Sequence, residues 1–351
     1  MSYDPHPIVQ WELTRLCDQH CRGCPTGASE QRDPNELSTY EAYKTIDQIA
    51  ALRPREVIIT GGDPLQREDV YQIVDYARRR GLDPSLVLTA SRELTFDALA
   101  KLVRNGLTRA VFSVDEPSAP VHAALRFAVS AGLRIEINTL VLRNNAADLG
   151  AIAALVRSLG AERWNVYFQV PVRASRELPM LTADEVERVF ASLEEIRLRQ
   201  GLAIRTVEAP HYRRFRVQRI LESWQDFTGQ ASDVEGTPEI LDSALDGARS
   251  FVYVSHAGDV RASELAPQSA GNLRYRELGA IYRGSDLFVA LRDPDNLHGR
   301  CGRCEFRILC GGSRARAYAM TGDLFGADPL CAWDPSANRL SLAAHGKEAD
   351  A

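Results

Sequence analysis

Three cysteines lie close together near the N-terminus, in the pattern Cys17-x3-Cys21-x2-Cys24. Three thiolates can hold a four-iron cluster by three of its irons and leave the fourth iron open to a ligand that is not protein. An open iron implies chemistry, because a fully ligated cluster usually only transfers electrons. The alternative is a zinc site with His20 as fourth ligand, but zinc sites usually pair cysteines in two separated knuckles, which this loop lacks.

The other four of the seven cysteines lie near the C-terminus and form the second cysteine group: Cys301, Cys304, Cys310 and Cys331. No cysteine lies between the two groups, and metal ligation explains such clustering better than disulfide pairing does. Four thiolates saturate either one tetrahedral zinc ion or one four-iron cluster. The spacing of the second group leaves both metals open.

The composition is that of an ordinary globular protein. The chain has 351 residues, of which 45% are hydrophobic and 25% charged, enough for one large core or two domains. The net charge is -5 without a block of lysine and arginine, so we expect no nucleic-acid partner. No apolar run reaches about 18 residues and the first residues do not resemble a signal peptide. We therefore expect no membrane association and a cytoplasmic protein, in which thiols stay reduced.

The elements that must position these cysteines alternate along the first half of the chain. Strands are predicted at 7–13, 56–60, 85–89, 110–114, 134–141 and 164–170, and helices at 38–52, 68–80, 95–105, 121–131, 149–159 and 182–200. Six β-α units in series predict a parallel sheet with right-handed crossovers. A barrel, partial or full, and an open doubly wound sheet both fit this pattern, and in either the loops at the strand C-termini carry the site.

The second half is less regular. Residues 201–250 are predicted to be a linker, 251–260 a hairpin, and 336–351 a flexible tail. The segment 211–214, His-Tyr-Arg-Arg, is interpreted as a solvated basic face rather than part of a substrate cleft. His256, at the tip of the hairpin, is interpreted as a surface residue.

The first cysteine group, directly after the first strand, resembles the signature of the radical S-adenosylmethionine (radical SAM) superfamily. The segment after the second strand resembles the Gly-Gly-Glu-Pro segment of that superfamily, with aspartate in place of glutamate: Gly61, Gly62, Asp63 and Pro64. The resemblance implies a partial (β/α)6 parallel barrel over residues 1–200. It also implies that Cys17, Cys21 and Cys24 hold a SAM-binding 4Fe-4S cluster, and that the glycines and Asp63 hold the amino group of SAM.

Weaker matches extend the SAM site implied by the resemblance. They lie at the end of the fourth strand, on and just beyond the fifth strand, and at the end of the sixth strand, where relatives contact the methionine, ribose and adenine parts of SAM. These candidate residues are Ser113, Asp115, Asn138, Arg143, Gln169 and Val170.

The second cysteine group resembles the auxiliary-cluster region of the SPASM/twitch subgroup, in the segments Cys301-Gly-x-Cys304, Cys310-Gly-Gly and Asp328-Pro-x-Cys331. The resemblance implies a small α+β domain over residues 251–335 with one auxiliary 4Fe-4S cluster, ligated by all four cysteines. Full SPASM proteins carry further cysteines, at positions that correspond here to 261–263 and to Arg314. Their absence implies a single auxiliary cluster with no open iron.

The resemblance implies cleavage of SAM to a 5′-deoxyadenosyl radical, hydrogen abstraction from a carbon of the substrate, and an electron donor such as flavodoxin or ferredoxin. Because the two clusters use all seven cysteines, no free thiol remains to return a hydrogen, and net oxidation or rearrangement is expected. We expect a small biosynthetic substrate, such as a sugar, a cyclitol or another natural-product precursor, rather than a ribosomal peptide, because the first strand begins near residue 7 and leaves no room for a leader-binding domain. A tetrapyrrole is a further alternative.

Overall fold

The computed structural model of the chain describes residues 5–19, 21, 24, 27–117, 122–225 and 249–335. The strands are β1 Ile8–Glu12, β2 Glu56–Thr60, β3 Pro84–Leu88, β4 Arg109–Ser113, β5 Arg134–Val141, β6 Arg163–Phe168, β7 Ile204–Val207, β8 Phe251–Val254, β9 Asp259–Arg261 and β10 Gly271–Asn272. The helices of the first half are α1 Thr39–Ala51, α2 Val70–Arg79, α3 Phe96–Arg104, α4 His122–Ser130, α5 Leu149–Ser158, α6 Ala183–Gln200 and α7 His211–Gln225. Those of the second half are α8 Leu278–Gly284, α9 Asp286–Arg292, α10 Gly299–Arg303 and α11 Arg314–Thr321. Short 3-10 helices span Pro64–Gln66, Ala146–Asp148, Arg173–Glu177 and Pro294–Asn296.

Within these residues the strands form one sheet in the order β10-β9-β8-β1-β2-β3-β4-β5-β6-β7. Strands β1 to β7 are parallel to their neighbours, as the alternation of strands and helices predicts. The expected partial parallel barrel is confirmed. The carboxyl ends of its strands meet at one edge, and both the first cysteine group and the Gly61-Gly62 segment follow strands there.

Successive side chains of each strand point to opposite faces of the sheet, and the two faces have different surroundings. On β1, Val9 and Trp11 are fully buried in the main hydrophobic core with helix residues such as Ile46 and Ile73. Ile8 belongs to a separate small cluster with Phe251 and Tyr253 of β8, on the other face of the sheet. The helices therefore cover one face of the sheet, and the opposite face lines the inside of the barrel.

A network of buried charges fills the inside of the barrel near the start of its strands. Glu56 on β2 lies 2.9 Å from the guanidinium of Arg205 on β7 and 3.1 Å from that of Arg163 on β6. Arg163 also lies 3.7 Å from Glu136 on β5. Burial raises the pKa of Glu56, but Arg205 and Arg163 outweigh this effect and hold it below its usual value. The two arginines thus keep a buried carboxylate charged and join strands that are distant in sequence.

The predicted linker at 201–250 is wrong for its first half. Strand β7, Ile204–Val207, pairs with β6 and extends the barrel, and α7, His211–Gln225, follows directly. The polar residues that suggested a linker are the inward-facing arginine of β7 and the charged positions of α7. Residues 226–248 of that range, and the tail 336–351, lie outside the described residues.

The predicted hairpin is confirmed, since β8 and β9 pair antiparallel. However, β8 also pairs in parallel with β1 over four residues, from Ile8 opposite Phe251 to Trp11 opposite Val254. The cysteine-containing second half therefore continues the barrel sheet. In the described part of the chain, no helix is long and apolar enough to cross a membrane.

The segment 211–214 is buried, so its interpretation as a solvated basic face is wrong. His211 and Tyr212 are fully buried, and burial lowers the pKa of His211 to about 3, which leaves its imidazole neutral. Arg214 forms an ion pair with Glu187 of α6, and the hydroxyl of Tyr212 donates to Glu194 at 2.9 Å. Carboxylates of α6 therefore compensate for the polar groups that α7 buries.

We predict that Arg205→Met lowers the free energy of unfolding by about 3–5 kcal/mol, because it leaves Glu56 as a buried charge with one partner fewer. Urea unfolding measures the loss. The double variant Glu56→Leu/Arg205→Met should regain most of it, since the unpaired charge is gone. Arg199→Met is the control: its pair with Glu195 is solvent-exposed and should contribute less than about 1 kcal/mol. A loss of that small size for Arg205→Met would contradict the prediction.

Candidate metal and cofactor site

The stem of the first cysteine loop lies directly against the segment that follows β2. The backbone N–H of Gly62 donates to the carbonyl of Thr14 at 2.8 Å, and that of Asp63 donates to the carbonyl of Leu16 at 2.8 Å. These bonds continue the β1–β2 pairing past the ends of both strands. The position of Cys17 is thus set by backbone hydrogen bonds to its neighbouring loop.

This close approach explains the two glycines. A Cβ atom on Gly61 would lie 2.5 Å from the carbonyl oxygen of Thr14, and one on Gly62 would lie 2.6 Å from that of Leu16. Both distances are below van der Waals contact, and the obstacles are backbone atoms that cannot rotate away. Any side chain here would separate the two loops.

The buried side chain of Arg67 stabilises the stem of the first cysteine loop. Arg67 donates from Nη1 to the carbonyl of Leu13 at 2.9 Å and forms ion pairs with Asp69 at 2.7 Å and Glu36 at 3.4 Å. Glu36 in turn accepts from the hydroxyl of Thr14 at 2.6 Å. Sequence reasoning missed this support, because none of these residues belongs to a recognisable motif.

The first cysteine group is partly buried and its thiols are close together. Cys17 is buried, Cys24 is half-buried and Cys21 is exposed. Burial raises the pKa of Cys17, and the nearby Asp63 and Cys21 raise it further. The amide of Gln19 donates to the sulfur of Cys17 at 3.4 Å, a contact that stabilises a thiolate. His20, the fourth ligand of the zinc alternative, lies outside the described residues.

Asp63 carries the strongest indication of a cationic ligand. It is fully buried, and its Oδ1 accepts from the amide of Leu65 at 3.0 Å. Its Oδ2 is buried and accepts no hydrogen bond of normal geometry from the described residues, although the hydroxyl of Ser91 is close enough to lower the pKa of the carboxyl. Burial raises the pKa of this carboxyl, against smaller lowering effects of Ser91 and the Leu65 amide. A buried acceptor without a partner is costly, and an ammonium group would satisfy it. Pro64, the next residue, is buried and begins the short helix that turns the chain away.

Three of the weaker candidates lie at the same edge of the sheet. Ser113 ends β4 and is exposed there. Asp115, two residues later, accepts from the amide of Leu140 at 2.7 Å and is close enough to Cys21 to contribute to the raised pKa of that thiol, after desolvation and Cys24. Asn138 on β5 accepts at its Oδ1 from Asn165 at 3.0 Å. Of the three, Asp115 is the one that the structure brings to the first cysteine group.

The remaining candidates have other partners. Arg143 is exposed, and its guanidinium lies 3.3 Å from Glu185 at the start of α6. Val170 packs against Ala266 and Ala315 of the second half. Gln169 is buried, with its side-chain amide donating to the carbonyl of Ser175. Side-chain contacts of these residues with SAM therefore remain a prediction, although the backbone after β6 still lies at the correct edge of the sheet.

The cysteines of the second group lie around Gly312. The amide of Gly312 donates to the sulfur of Cys310 at 3.3 Å, and that of Asp328 donates to the sulfur of Cys301 at 3.5 Å. Gly312 has a φ of 70°, and a Cβ there would lie 2.8 Å from Cβ of Asp328. Only glycine gives both this backbone conformation and this close approach.

The thiols of the second group also influence one another. Burial raises the pKa of Cys304 and that of Cys331 to about 11, and in both cases Cys301 adds to the effect. Burial likewise raises the pKa of Cys310, with Cys331 as the next cause. Burial thus disfavours the free thiolates, whereas the amide N–H groups directed at two of the sulfurs favour them and fit the ligand set of an iron–sulfur cluster. Over the described ranges, no group of three or more His, Cys, Asp or Glu side chains is arranged to hold a single metal ion.

A cavity lies between the barrel and the second half of the chain. It is lined by polar groups from both, among them Gln10, Glu208, Glu264, Ser313 and Arg314. Gln10 donates to Glu264 at 2.6 Å. Burial raises the pKa of Glu264 to about 7, and Glu12 and Glu208 add to it. Sequence reasoning missed Glu264 and included Glu208 only as the first residue of the segment 208–214, since the two glutamates come from different loops and share no spacing.

His256 is buried, so its interpretation as a surface residue is wrong. Its Nδ1 lies 2.7 Å from Glu12 at the end of β1, and its Nε2 lies 3.0 Å from Asp33. Burial lowers the pKa of His256, but the hydrogen bonds to these two carboxylates outweigh it and the pKa is raised. The histidine thus joins the β8–β9 turn to the strand that carries the first cysteine group.

Comparison with known proteins identifies the family. Residues 11–156 match the family described as the radical SAM superfamily. The chain is 32% identical over 345 residues to the AdoMet-dependent heme synthase of Oleidesulfovibrio alaskensis, covering 93% of this chain and 87% of that protein. It is 28% identical over 355 residues to the PqqA peptide cyclase of Gluconobacter oxydans, covering 95% and 92% of the two chains.

Among solved structures, SuiB of Streptococcus suis bound to S-adenosylmethionine has the same fold, with a TM-score of 0.70 and 13% identity over 93% of this chain and 77% of that one. The expectation that a small molecule such as a sugar or cyclitol is a more suitable partner than a peptide is wrong. The relatives are instead named for haem and for a peptide.

We predict that Gly62→Ala separates the two loops and costs about 1–3 kcal/mol of unfolding free energy through overpacking. Because the first cysteine loop moves, iron bound after anaerobic reconstitution should fall as well. Gly150→Ala is the control, since a Cβ at that helical position meets no atom within 4 Å. Equal iron content and stability in the two variants would show that the close approach is not required.

We predict a pH-dependent contribution of His256 to stability. Because its folded pKa lies above the unfolded value of about 6.5, the contribution is complete below that pH and is lost as the pH rises through the folded pKa. Urea unfolding at several pH values should show this decline in the wild type and in His298→Gln, which replaces an exposed histidine. His256→Gln should be less stable at low pH and should lack the decline; an unchanged pH profile would refute the assignment.

Proposed function

The chain belongs to the radical SAM superfamily, and on that premise we propose that this enzyme oxidises propionate side chains of a tetrapyrrole. The observation that carries the proposal is the 32% identity to an AdoMet-dependent heme synthase over 93% of the chain. Such coverage extends well beyond the barrel into the second half of the chain. A sugar or cyclitol substrate has no comparable support.

The residues for the cofactors are those described above. We propose that Cys17, Cys21 and Cys24 hold the SAM-binding 4Fe-4S cluster, that Asp63 receives the amino group of SAM, and that the second cysteine group holds an auxiliary 4Fe-4S cluster. When bound, these groups supply a radical that removes hydrogen from carbon and a one-electron acceptor. The unpartnered Oδ2 of Asp63 and the amides directed at Cys301 and Cys310 support this assignment.

We propose that the cavity between the barrel and the second half of the chain receives one propionate side chain of the substrate. Arg314, beside Gly312, lines it, and so does Glu264. A carboxyl with a pKa of about 7 is partly protonated at neutral pH, so Glu264 can donate a hydrogen bond to a substrate carboxylate as well as accept one. Glu264 is therefore suited to orient a propionate and to keep its neighbouring C–H bond in a fixed position. Arg314 donates to the carbonyls of Gly312, Leu324 and Gly326 and so stabilises the wall of the cavity.

Oxidation or cross-linking of a peptide is the second candidate. The observation that favours it is the 28% identity to a PqqA peptide cyclase over 95% of the chain. The cavity lining does not separate the candidates by itself, because Glu208 and Glu264 also suit hydrogen-bond donors of a peptide backbone.

We predict about eight irons per chain after anaerobic reconstitution and release of 5′-deoxyadenosine on reduction with SAM. Cys17→Ala should abolish this release. Cys331→Ala should retain it and bind fewer irons, because the two cysteine groups are separate ligand sets. Zinc in place of iron, or no release of 5′-deoxyadenosine by the wild type, would refute the proposed iron–sulfur and SAM chemistry.

The substrate is tested with iron coproporphyrin III and with a short peptide in parallel. We expect conversion of a propionate to a vinyl group for each SAM cleaved, detected by mass spectrometry. One hydrogen atom would pass from carbon to the 5′-deoxyadenosyl radical, carbon dioxide would leave, and the remaining electron would pass to the acceptor that the auxiliary cluster would supply. Glu264→Gln should weaken this conversion, whereas Glu305→Gln, at an exposed position of the second half, should not. A changed peptide and an unchanged tetrapyrrole would establish the second candidate instead.

A further inference from the structure

Arg316 is a buried charged side chain that no part of the proposed chemistry uses. It lies in α11, six residues after Cys310, and is fully buried. Its Nε lies 3.0 Å from Oδ1 of Asp328 and its Nη2 lies 3.3 Å from Oδ2, a two-pronged ion pair inside the C-terminal cysteine segment, which we define as residues 301–331. Removal of a guanidinium from water costs free energy, so a fully buried arginine is expected to have a role beyond packing.

The remaining donors of Arg316 leave the C-terminal cysteine segment. Nη1 donates to the backbone carbonyl of Gln169 at 3.2 Å, and Nη2 donates to the backbone carbonyl of Glu208. Gln169 follows β6 and Glu208 follows β7, so both carbonyls lie at the edge of the barrel that carries the cofactor site. One side chain therefore holds the ends of two barrel strands.

Asp328 connects the side chain of Arg316 to the backbone next to Cys310 and Cys331. Its Oδ2 accepts from the amide of Ser313 at 2.8 Å, and its Oδ1 accepts from the amide of Leu330 at 3.1 Å. Ser313 lies three residues after Cys310, and Leu330 directly precedes Cys331. The backbone on both sides of the second cysteine group is thus bonded to the carboxylate that Arg316 pairs with.

Glu208 adds a second sign that this junction is held in place. It is not a glycine, yet its φ is 57°. Its carboxylate accepts from the hydroxyls of Ser263, at 2.7 Å, and Ser313. Such a backbone conformation persists only where the surroundings determine it, and here the surroundings are the C-terminal cysteine segment and the hairpin.

We propose that Arg316 is a positioning residue that fixes the end of β6 from within the C-terminal cysteine segment, so that the affinity for SAM depends on that segment. The inference rests on the part of the proposed function that places SAM at this edge of the barrel. The guanidinium is suited to the task because its planar donors reach Asp328 and two carbonyls at once. A lysine keeps the charge but cannot reach all of these acceptors.

The test compares two conservative replacements of buried arginines. Arg316→Lys removes the bonds to the barrel. Arg292→Lys is the matched control, because Arg292 is also buried and donates to the carbonyls of Tyr282 and Arg283 within the second half. Equilibrium binding of SAM to the iron-reconstituted proteins is measured, with iron content and unfolding free energy recorded for each.

We expect Arg316→Lys to weaken SAM binding by about tenfold, in the usual range for coupled sites, with iron content retained. Arg292→Lys should leave SAM affinity unchanged. Equal SAM affinity in both variants and the wild type would overturn the proposal and reduce Arg316 to a structural residue. A loss of affinity in both would show general destabilisation, and would overturn it as well.

If Arg316→Lys fails to fold, hydrogen exchange of the wild-type protein tests the proposal instead. Because coupling is reciprocal, SAM should slow hydrogen exchange at the amides of Ser313 and Leu330, which are bonded to Asp328. Unchanged exchange at both amides would overturn the proposal. Tetrapyrrole turnover is not part of either readout, so failure of the proposed substrate and failure of this inference are separate results.

Discussion

The close approach of two backbones at the edge of the barrel is the constraint on which the rest of the site depends. The stem of the first cysteine loop and the segment after β2 are hydrogen-bonded where a side chain would not fit. This contact places Cys17 beside Asp63, a thiol beside a buried carboxylate with an unpartnered oxygen. A thiol of the first cysteine group and a buried carboxylate are thereby brought close together, an arrangement that suits the SAM and iron–sulfur chemistry of the superfamily.

The second half of the chain is joined to the barrel by strand pairing and by buried charges. Strand β8 extends the sheet at β1, His256 bridges Glu12 and Asp33, and Arg316 bridges Asp328 to the ends of β6 and β7. The contacts of His256 and Arg316 remove charges from water. This is favourable only when every donor and acceptor has a partner. Such contacts are therefore intolerant of small displacements, and they hold the second half of the chain in a fixed position against the barrel.

The cavity between the two halves is lined by residues that are distant in sequence. Its lining combines an acid that is partly protonated near neutral pH with an arginine beside the second cysteine group. Parallel barrels place such sites at the carboxyl ends of their strands, where loops vary without disturbing the sheet. The family therefore follows from the barrel and its first cysteine loop, while the cavity is lined by side chains that come together from separate loops.

The amino-acid sequence by itself determined both cysteine groups, the glycine pair with Asp63, and the order and approximate bounds of β1 to β6 and their helices. These features are local: hydrophobic period, turn residues and ligand spacing act over a few residues. The tertiary structure alone decided that β7 and α7 replace a linker, that His211 and His256 are buried, and that Glu208 and Glu264 share a cavity. Their partners lie far away in the chain, as with Arg316 and Gln169 at a separation of 147 residues. A polar residue paired over such a distance has the same local pattern as one exposed to water, so only the folded chain distinguishes them.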